Sequence, residues 1–524
     1  MKINFKKIQK KLTKERFFPW LEKIIKNFPK VEIYLVGGAV RDLILDQETK
    51  DFDFVVRNVR AEDLENSLSG LGKVSLVGKA FGVFKFVPKN WDIHNPIDVA
   101  LPRTEHAFGT GGYKDVVVKS DPKMSIKKDL SRRDFTINAM ALKLEIRNLK
   151  LEIGKIIDPF KGLNNLKKKI IKAVGKPEER FKEDYSRMLR AIRFSIELGF
   201  QIEEKTWQVI KKNISHLGDQ EIETKMIERR RTLEPEIEEK RIVPYEIIAK
   251  EFLKSLKANP VKTFDLYDEA NVWQQIAPEL LKMKGCPQPK EFHSEGDVWT
   301  HTRLTLEKLY SKEFKKQFRK EPPSLELILA AIFHDLGKPY VIKTPEKNGV
   351  SRIRFDEHDL VGAELAKKIC QRLKLSSLGE IGIDPERVAW LVRNHMILIV
   401  GDISKMRPST IEKYFFNPKF SGDDLLKLSF VDIAATILEE GKPNFTNFYQ
   451  IQKRIKELKG LSKTKKELPP PFLNGREIIE KFSLQPGPKI GQLLEKLREK
   501  QLAKKIKNKE EALSYLAKII KNEE

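Results

Sequence analysis

The stretch VEIYLVGGAVRDLILDQETKDFDFVV, residues Val31 to Val56, decides the fold of the first part of the chain. A strand-like apolar run ends in two glycines, and a short helical pattern follows. A second apolar run then carries Asp51 and Asp53 one residue apart. Because side chains alternate across a strand, these two aspartates project from the same face. The pattern predicts a sheet-containing domain with paired carboxylates just after a glycine turn.

The paired carboxylates are typical of a site for nucleotidyl transfer. Neighbouring carboxylates raise each other's pKa, and a divalent cation removes that conflict. Oxygen ligands suit Mg²⁺, which shares its remaining positions with substrate phosphates. Gly37 and Gly38 would let backbone N–H groups approach a triphosphate, and Arg41 would add donors. A lone Asp-x-Asp pattern is weak, however, and by itself it favours a turn followed by an edge strand with solvated carboxylates.

Length and composition restrict the class of protein. A chain of 524 residues is too long for one ordinary core, so we expect three or four domains. The formal net charge of +25 favours phosphate polymers as partners, although solvated surface lysines produce the same excess. Cys286 and Cys370 lie far apart without a zinc spacing, which indicates a cytoplasmic protein. The apolar runs are too short to cross a membrane, so we expect no membrane partner.

The hydrophobic pattern changes from strand-like to helix-like along the chain. Apolar runs separated by turns continue to about Leu144, and helical periodicity dominates from about Asp158. The change predicts an α+β protein with a mixed-sheet head followed by all-α domains.

Charged residues recur every third position in ERFKEDYSRMLRAIRF. Asp184, Arg187 and Arg190 would share one face of a helix. Three residues turn a helix by about 300°, so Arg193 would point elsewhere. An Asp–Arg pair matches the amino group and ring acceptor of C and A but not the groups of G and U, so it could select CTP and ATP without a template. A salt-bridged surface helix carries the same charge pattern.

Two further groups extend the candidate site. Asp98 ends the strand-like run in NPIDVALPRTE and is a candidate third carboxylate, and an ordinary strand-end aspartate explains it equally well. In DLSRRDFTINAMAL, Arg132 and Arg133 fit contact with phosphate or ribose. Asp134 would hold an arginine in place.

Four stretches resemble, in the same order, the motifs of the class II tRNA nucleotidyltransferases, the CCA-adding enzymes, and of the related bacterial poly(A) polymerases. They are LVGGAVRD, DFDFVV, RRDFTINAMAL and RFKEDYSRMLRAIRF. The resemblance implies a nucleotidyltransferase palm as the head. It implies Mg²⁺ bound by Asp51 and Asp53, and base recognition by Asp184 and Arg187. The remaining residues that it implies in nucleotide binding are Gly37, Gly38, Arg41, Arg133, Arg190 and Arg193.

Five of the eight histidines lie between residues 293 and 395. Their pattern resembles the HD phosphohydrolase superfamily, whose metal ligands are a His, a His-Asp pair and a distant Asp. The matching residues are His301, His334, Asp335 and Asp432. His358 and His395 would allow a second divalent metal. A metal-bound water could attack a 2′,3′-cyclic phosphate or a phosphomonoester, while the alternative is a relic domain that stabilises the body without turnover.

The resemblance implies a template-independent enzyme that adds C, C and A to tRNA from CTP and ATP, contacting the acceptor–T arm and the 3′ end. The implied ranges are a basic N-terminal helix 1–30, head 31–157, neck 158–240, body 241–286, HD domain 287–440 and tRNA-binding basic tail 441–524. Two alternatives remain, a poly(A) polymerase or A-adding enzyme, and an HD hydrolase with an RNA-binding head. The complete head motif set disfavours the hydrolase. The loop HAFGTGGYKDVVV resembles the family's flexible loop, which favours full CCA addition.

Overall fold

The computed structural model describes residues 4–14, 18–49, 51–76, 82–89, 96–107, 110–112, 116–147, 150–229, 232–319, 321–399, 402–461 and 468–523. Contacts between Cα atoms divide the chain into two compact units, Met1–Ile276 and Ala277–Glu524. Among the described helices, none is long and apolar enough to cross a membrane.

A seven-stranded mixed sheet forms the centre of the first unit. The strands of the head are β1 Glu32–Val36, β2 Asp53–Arg57, β3 Gly72–Leu76, β4 Val83–Pro88, β5 Ile97–Ala100, β6 Arg103–Ala107, β7 Val116–Ser120, β8 Ala141–Arg147 and β9 Lys150–Ile157. The sheet order is β3-β4-β5-β2-β1-β8-β9, and β6 pairs with β7 separately. The β2–β5 pair is parallel and the other pairs of the sheet are antiparallel. The predicted α+β class with a mixed-sheet head is confirmed.

Helices cover the sheet on both faces because the central strands are apolar on both sides. The helices of the head are α1 Phe5–Lys14, α2 Phe18–Asn27, α3 Gly38–Ile44, α4 Ala61–Ser69 and α5 Ile126–Ser131. On one face, Tyr34 and Val55 pack with Ile126 of α5. Trp20 of α2 meets the ring of Phe54 edge-on, with centroids 5.1 Å apart. The predicted N-terminal helical segment therefore belongs to the packing of the head.

The rest of the first unit is mostly helical, with one feature that the periodicity did not predict. Its elements are α6 Gly162–Lys168, β10 Ile170–Ile171, α7 Pro177–Glu183, α8 Ser186–Leu198, β11 Gln201–Ile202, α9 Glu204–Asn213, β12 Gln220–Arg229, β13 Thr232–Arg241, α10 Tyr245–Ala258, α11 Pro260–Glu269 and α12 Val272–Ile276. Strands β12 and β13, of ten residues each, form an antiparallel hairpin at the end of the predicted neck. Charged residues occupy most of this segment, so its alternation was weak in the sequence.

The second unit is helical. Its helices are α13 Val298–Lys308, α14 Lys312–Gln317, α15 Leu325–Phe333, α16 Lys338–Val341, α17 Pro345–Asn348, α18 His358–Arg372, α19 Pro385–Asn394, α20 Pro408–Phe415, α21 Gly422–Ala435, α22 Thr446–Lys459, α23 Gly475–Phe482, α24 Pro488–Leu502 and α25 Lys509–Glu523. The last three helices share a small core that includes Ile478, Leu493 and Leu516. Arg498 of α24 donates to Glu412 of α20 and to the carbonyl of Pro469, which ties this C-terminal core to the preceding helices.

Candidate functional site

The turn between β1 and α3 places Gly37 against two later side chains. Gly37 has a φ of +75°, in the left-handed region that favours glycine. A Cβ here would lie 2.7 Å from Nη1 of Arg133 and 3.3 Å from Oδ2 of Asp53. Gly38 follows as the first residue of α3. The glycine turn, the arginine and the carboxylate therefore occupy one small region of the head.

Asp53 and Asp98 lie side by side because β2 and β5 are parallel, with these two residues in register. Burial raises the pKa of Asp53, the carboxylates of Asp98 and Asp51 raise it further, and Arg133 opposes the rise. Asp51 is exposed and precedes the first residue of β2, so the expectation that both aspartates lie on one strand is wrong for Asp51. A bound metal would relieve the repulsion among the three acids, which therefore fit a divalent cation. Among the described residues of the head, no three such ligand atoms lie within 4.8 Å of one another. An ion here would therefore also need oxygens from phosphate and water.

The two predicted phosphate-binding arginines have different surroundings. Arg41 donates from Nη1 to Asn138 at 2.8 Å and from Nε to Asp42 at 2.7 Å. Burial lowers the pKa of Arg133, with Asp129 opposing the effect. Nε of Arg133 is buried and has no hydrogen-bond partner within the described ranges. Because an unpaired buried donor is costly, Arg133 is well suited to receive an anion.

Asp184 interrupts the predicted row of charges. Helix α7 ends at Glu183, Asp184 is extended, and α8 begins at Ser186. Oδ1 of Asp184 accepts from the backbone N–H of Ser186 at 2.9 Å. The expectation of one continuous helical face is therefore wrong at this residue, because the short carboxylate bonds to the local backbone in place of the helical pattern. Nε of Arg187 nevertheless lies 3.9 Å from Oδ2 of Asp184.

Arg190 connects α8 to the head. Its Nε donates to Oδ2 of Asp134 at 2.9 Å. Burial alone would raise the pKa of Asp134, but the Arg190 guanidinium lowers it to about 2. The arginine that Asp134 holds in place is thus Arg190. Arg132 pairs instead with Asp129, at 3.0 Å.

Arg193 contacts neither Asp184 nor Arg187 in the hydrogen bonds and ion pairs of the described residues, and its partners lie elsewhere. It is buried and donates to Glu197 of its own helix and to Glu251 of α10. Its Cζ also lies 4.1 Å from the centroid of the Phe194 ring. These contacts join α8 to α10. They agree with the expectation, from the rotation of about 300° per three residues, that Arg193 points away from Arg187 and Arg190.

Part of the glycine loop contacts the residue that follows Asp184. Of the loop 106–118, residues 108–109 and 113–115 lie outside the described residues. The carbonyl of Gly111 accepts from the backbone N–H of Tyr185 at 3.1 Å. Gly111 has a φ of +80°, and a Cβ there would lie 2.0 Å from the Tyr185 ring. That ring stacks on His216 with centroids 4.5 Å apart. Sequence reasoning missed Tyr185, although it directly follows Asp184.

The four predicted HD residues come together in the second unit. Nε2 of His301 lies 3.0 Å from Oδ1 of Asp432. Nε2 of His334 lies 3.3 Å from Oδ2 of Asp335 and 3.7 Å from Asp432. This His334 nitrogen is buried and has no hydrogen-bond partner in the described part of the chain. The donor set fits a divalent metal, which would satisfy that nitrogen.

A second group of ligands shares Asp335 with the first. Nε2 of His358 and Nε2 of His395 lie 3.5 and 3.8 Å from Oδ1 of Asp335. Their Nδ1 atoms face the backbone carbonyls of Phe355 and Val392, at 2.8 and 2.6 Å. Such contacts fix the tautomer and leave Nε2 available to a metal. The two oxygens of Asp335 therefore face two candidate ion positions.

Glu295 supports the first group and was not identified from the sequence. Its Oε1 faces Nδ1 of both His293 and His301 at 2.7 Å, and its Oε2 accepts from the backbone N–H of Ile437 at 2.9 Å. Burial alone would lower the pKa of His301, but hydrogen bonds to Asp432 and Glu295 raise it to about 9. The clue in the sequence was the short spacing of the three residues in HSEGDVWTH.

Three of the candidate HD ligands, Asp335, His358 and Asp432, line a cavity of about 910 Å³. Phe292 and Arg352 also line it. Ligand cavities in proteins commonly span ~300–1,000 Å³. These three candidate ligands therefore face a cavity with room for a molecule the size of a nucleotide.

The fold and the two sites define a class, a polymerase-type nucleotidyltransferase head joined to an HD domain. Family models match as the Poly A polymerase head domain at residues 33–172, the HD domain at 298–434 and tRNA nucleotidyltransferase domain 2, putative, at 428–517. The multifunctional CCA protein of Nitrosomonas eutropha is 31% identical over 385 residues, covering 73% of this chain and 77% of the relative. That of Pasteurella multocida is 32% identical over 352 residues, covering 66% and 70%. The chain belongs to the bacterial CCA-adding enzyme family with an HD domain, as the motifs predicted.

Solved structures agree with the fold. The Thermotoga maritima CCA-adding enzyme complexed with tRNA aligns with a TM-score of 0.55 and 22% identity, covering 98% of both chains. The Bacillus stearothermophilus enzyme in complex with CTP aligns with a TM-score of 0.57 and 20% identity, covering 96% of this chain and 98% of the other.

Proposed function

We propose that the protein adds C, C and A to the 3′ end of tRNA, using CTP and ATP without a nucleic-acid template. Membership of the CCA-adding family supports this assignment. The structural observation that carries it is the alignment of Asp53 with Asp98 on parallel strands, next to Gly37 and Arg133. The closeness of two carboxylates, a glycine turn and the Arg133 guanidinium supports the proposal that a triphosphate binds there.

The family depends on a divalent metal, and we propose Mg²⁺ held by Asp51 and Asp53 with Asp98 beside them. When bound, such a metal supplies Lewis-acid activation of the α-phosphate and of the attacking 3′-hydroxyl. Arg133 would bind the triphosphate through its unpaired donor. Arg41 would contact it from α3.

Base selection is assigned to Asp184 and Arg187. The carboxylate accepts from the amino group of C or A, and the guanidinium donates to the ring acceptor. Arg190 would support this pair while anchored to Asp134. Arg193 would stabilise the packing of α8 on α10, because its buried contacts with glutamates occupy its donors.

We also propose a phosphoester hydrolase activity in the second unit. The ligands His301, His334, Asp335 and Asp432 would hold one divalent metal, and His358 and His395 would hold a second with Asp335. When bound, such ions would activate water for attack on a phosphomonoester or a 2′,3′-cyclic phosphate. The buried unpaired nitrogen of His334 supports metal binding.

The domain ranges follow the same proposal. Residues 158–240 and 241–286 would serve as neck and body, and 287–440 as the HD domain. The tail, 441–524, would bind the backbone of the tRNA acceptor–T arm through its lysines. We place the protein in the cytoplasm, which agrees with the free, buried state of Cys286 and Cys370.

A nucleotide-incorporation assay tests the main assignment. Purified protein receives tRNA that ends at the discriminator base, with labelled CTP or ATP supplied separately. Addition of two C residues from CTP alone, followed by one A when ATP is present, is the expected result. Tailing from ATP alone would assign the protein to the A-adding or poly(A) enzymes instead.

A further inference from the structure

The HD cavity is lined by two cation–aromatic pairs that metal binding does not explain. Nζ of Lys338 lies 5.2 Å from the centroid of the Phe355 ring. Cζ of Arg352 lies 5.3 Å from the centroid of the Phe292 ring. All four residues line the cavity that contains Asp335. Alternation of cations and aromatic rings is the surface chemistry that binds nucleotides, because bases stack on rings and phosphates pair with cations.

The two pairs differ in their position relative to the candidate ions. Lys338 is buried, and its Nζ lies 2.7 Å from Oδ2 of Asp335. Phe292 is 43% exposed, so much of its ring remains available to a ligand. The pair of Lys338 and Phe355 therefore lies at the ion side of the cavity. The pair of Phe292 and Arg352 lies at the solvent side.

The position of Phe292 is fixed by the same network that holds a metal ligand. The backbone N–H groups of Phe292 and His293 both donate to the carbonyl of Pro289, at 3.0 and 2.9 Å. Nδ1 of His293 and Nδ1 of His301 both face Oε1 of Glu295. Phe292 therefore directly precedes His293, which contacts the same Glu295 carboxylate as the candidate metal ligand His301.

The guanidinium of Arg352 has only a weak ion pair among the described residues. Its carboxylate neighbour is Glu291 at 4.0 Å, and both side chains are more than half exposed. Exposed pairs of this kind contribute little. Arg354, by contrast, donates to Asp356 at 3.2 Å. Arg352 is therefore the cation at the cavity entrance that a ligand can engage most easily.

We propose that Phe292 and Arg352 form a stacking site for the base of the terminal nucleotide whose phosphoester lies at the HD ions. This inference rests on the proposed hydrolase function and names what that site recognises. The ligand is a nucleotide phosphomonoester or cyclic phosphate, either free or at the end of an RNA. The base contact makes the site selective for nucleotides over base-free phosphoesters.

The test compares substrates with and without a base on the metal-loaded full chain. Phosphate release is measured from adenosine 2′-monophosphate, from a short oligoadenylate ending in the same 2′-phosphate, and from glycerol 2-phosphate. The variants are Phe292→Leu and Arg352→Ala. Phe292→Trp serves as a rescue variant, and Tyr310→Leu is a matched control because Tyr310 is similarly exposed but does not line the cavity.

We expect KM for both adenosine substrates to rise about tenfold in Phe292→Leu, with kcat and glycerol 2-phosphate hydrolysis unchanged. Phe292→Trp should retain the wild-type KM. Equal loss on glycerol 2-phosphate, or no loss on any substrate, would overturn the proposal. A loss confined to the oligonucleotide would place the contact on an upstream nucleotide and would also overturn it.

A binding measurement separates this proposal from the proposed hydrolase activity. If the wild-type protein releases no phosphate, the hydrolase assignment fails. Calorimetric titration with adenosine 2′-monophosphate then compares wild type with Phe292→Leu. The head contributes equally to both proteins, because Phe292 belongs to the second unit. Weaker binding in the variant supports the stacking site, and identical isotherms refute it.

Discussion

Replacing Glu295 by Gln should weaken metal binding in the HD site without altering the head. The Glu295 side chain is almost completely buried, and its two oxygens face Nδ1 of His293, Nδ1 of His301 and the N–H of Ile437. A glutamine amide has one acceptor oxygen. If this oxygen faces the histidines, the NH₂ group opposes the N–H of Ile437, and if the amide is flipped, both histidine contacts are lost.

The magnitude follows from the role of Glu295 in orienting His301. Loss of a partner that orients a metal ligand commonly costs ~10–100-fold in metal affinity, or about 1.4–2.7 kcal/mol. The assay is competition between the protein and a chelator for a divalent metal, followed by calorimetry. Glu307→Gln is the matched control, because Glu307 is an exposed carboxylate on α13 that pairs with Arg303. Nucleotide incorporation into tRNA should be unchanged in both variants.

Unchanged metal affinity in Glu295→Gln, together with a wild-type melting temperature, would refute this reasoning. It would show that the helical packing holds the His301 imidazole without its carboxylate partner.

Asp53→Ala should abolish CTP and ATP incorporation while tRNA binding in a gel-shift assay stays near wild type, and residual incorporation would remove the proposed metal role. Asp184→Ala should relax base choice more than it weakens triphosphate binding, as measured by incorporation of each of the four nucleotides, and unchanged selectivity would exclude base recognition. Gly111→Ala should reduce A addition more than triphosphate binding, because its Cβ collides with the Tyr185 ring; equal A addition would indicate that this contact is dispensable. The low pKa of Asp134, about 2, means that its stabilising effect is complete above its ordinary pKa and disappears as the pH falls through about 2. The stability difference between wild type and Asp134→Asn in urea should therefore be constant near neutral pH and should shrink below about pH 4.

Local patterns predicted the residues of the head site better than their arrangement. Alternation placed Asp53 on a strand and glycine spacing placed a turn at Gly37, because both signals depend on neighbours in the chain. The parallel register that brings Asp98 beside Asp53 depends on sheet topology. The end of α7 before Asp184 depends on a side-chain hydrogen bond that competes with the helix. The periodicity of the sequence therefore predicts neither the pairing of β2 with β5 nor the end of α7.

The HD site shows the same limit. Its candidate ligands were found because the order and spacing of its histidines and aspartates resemble the pattern of the HD superfamily. The sharing of Asp335 between two groups depends on where α15, α18 and α19 meet. Glu295 lies outside the helices, and its part in the site is apparent only from its contacts with His293 and His301.

The carboxylate of Asp335 ties the occupancy of one ion position to that of the other. An ion that binds beside His334 would neutralise charge that the neighbouring ion also needs, yet it would hold the Asp335 carboxylate in the orientation that the neighbour requires. Filling of the two positions would therefore be interdependent, so a titration with metal should not follow the curve of two independent sites.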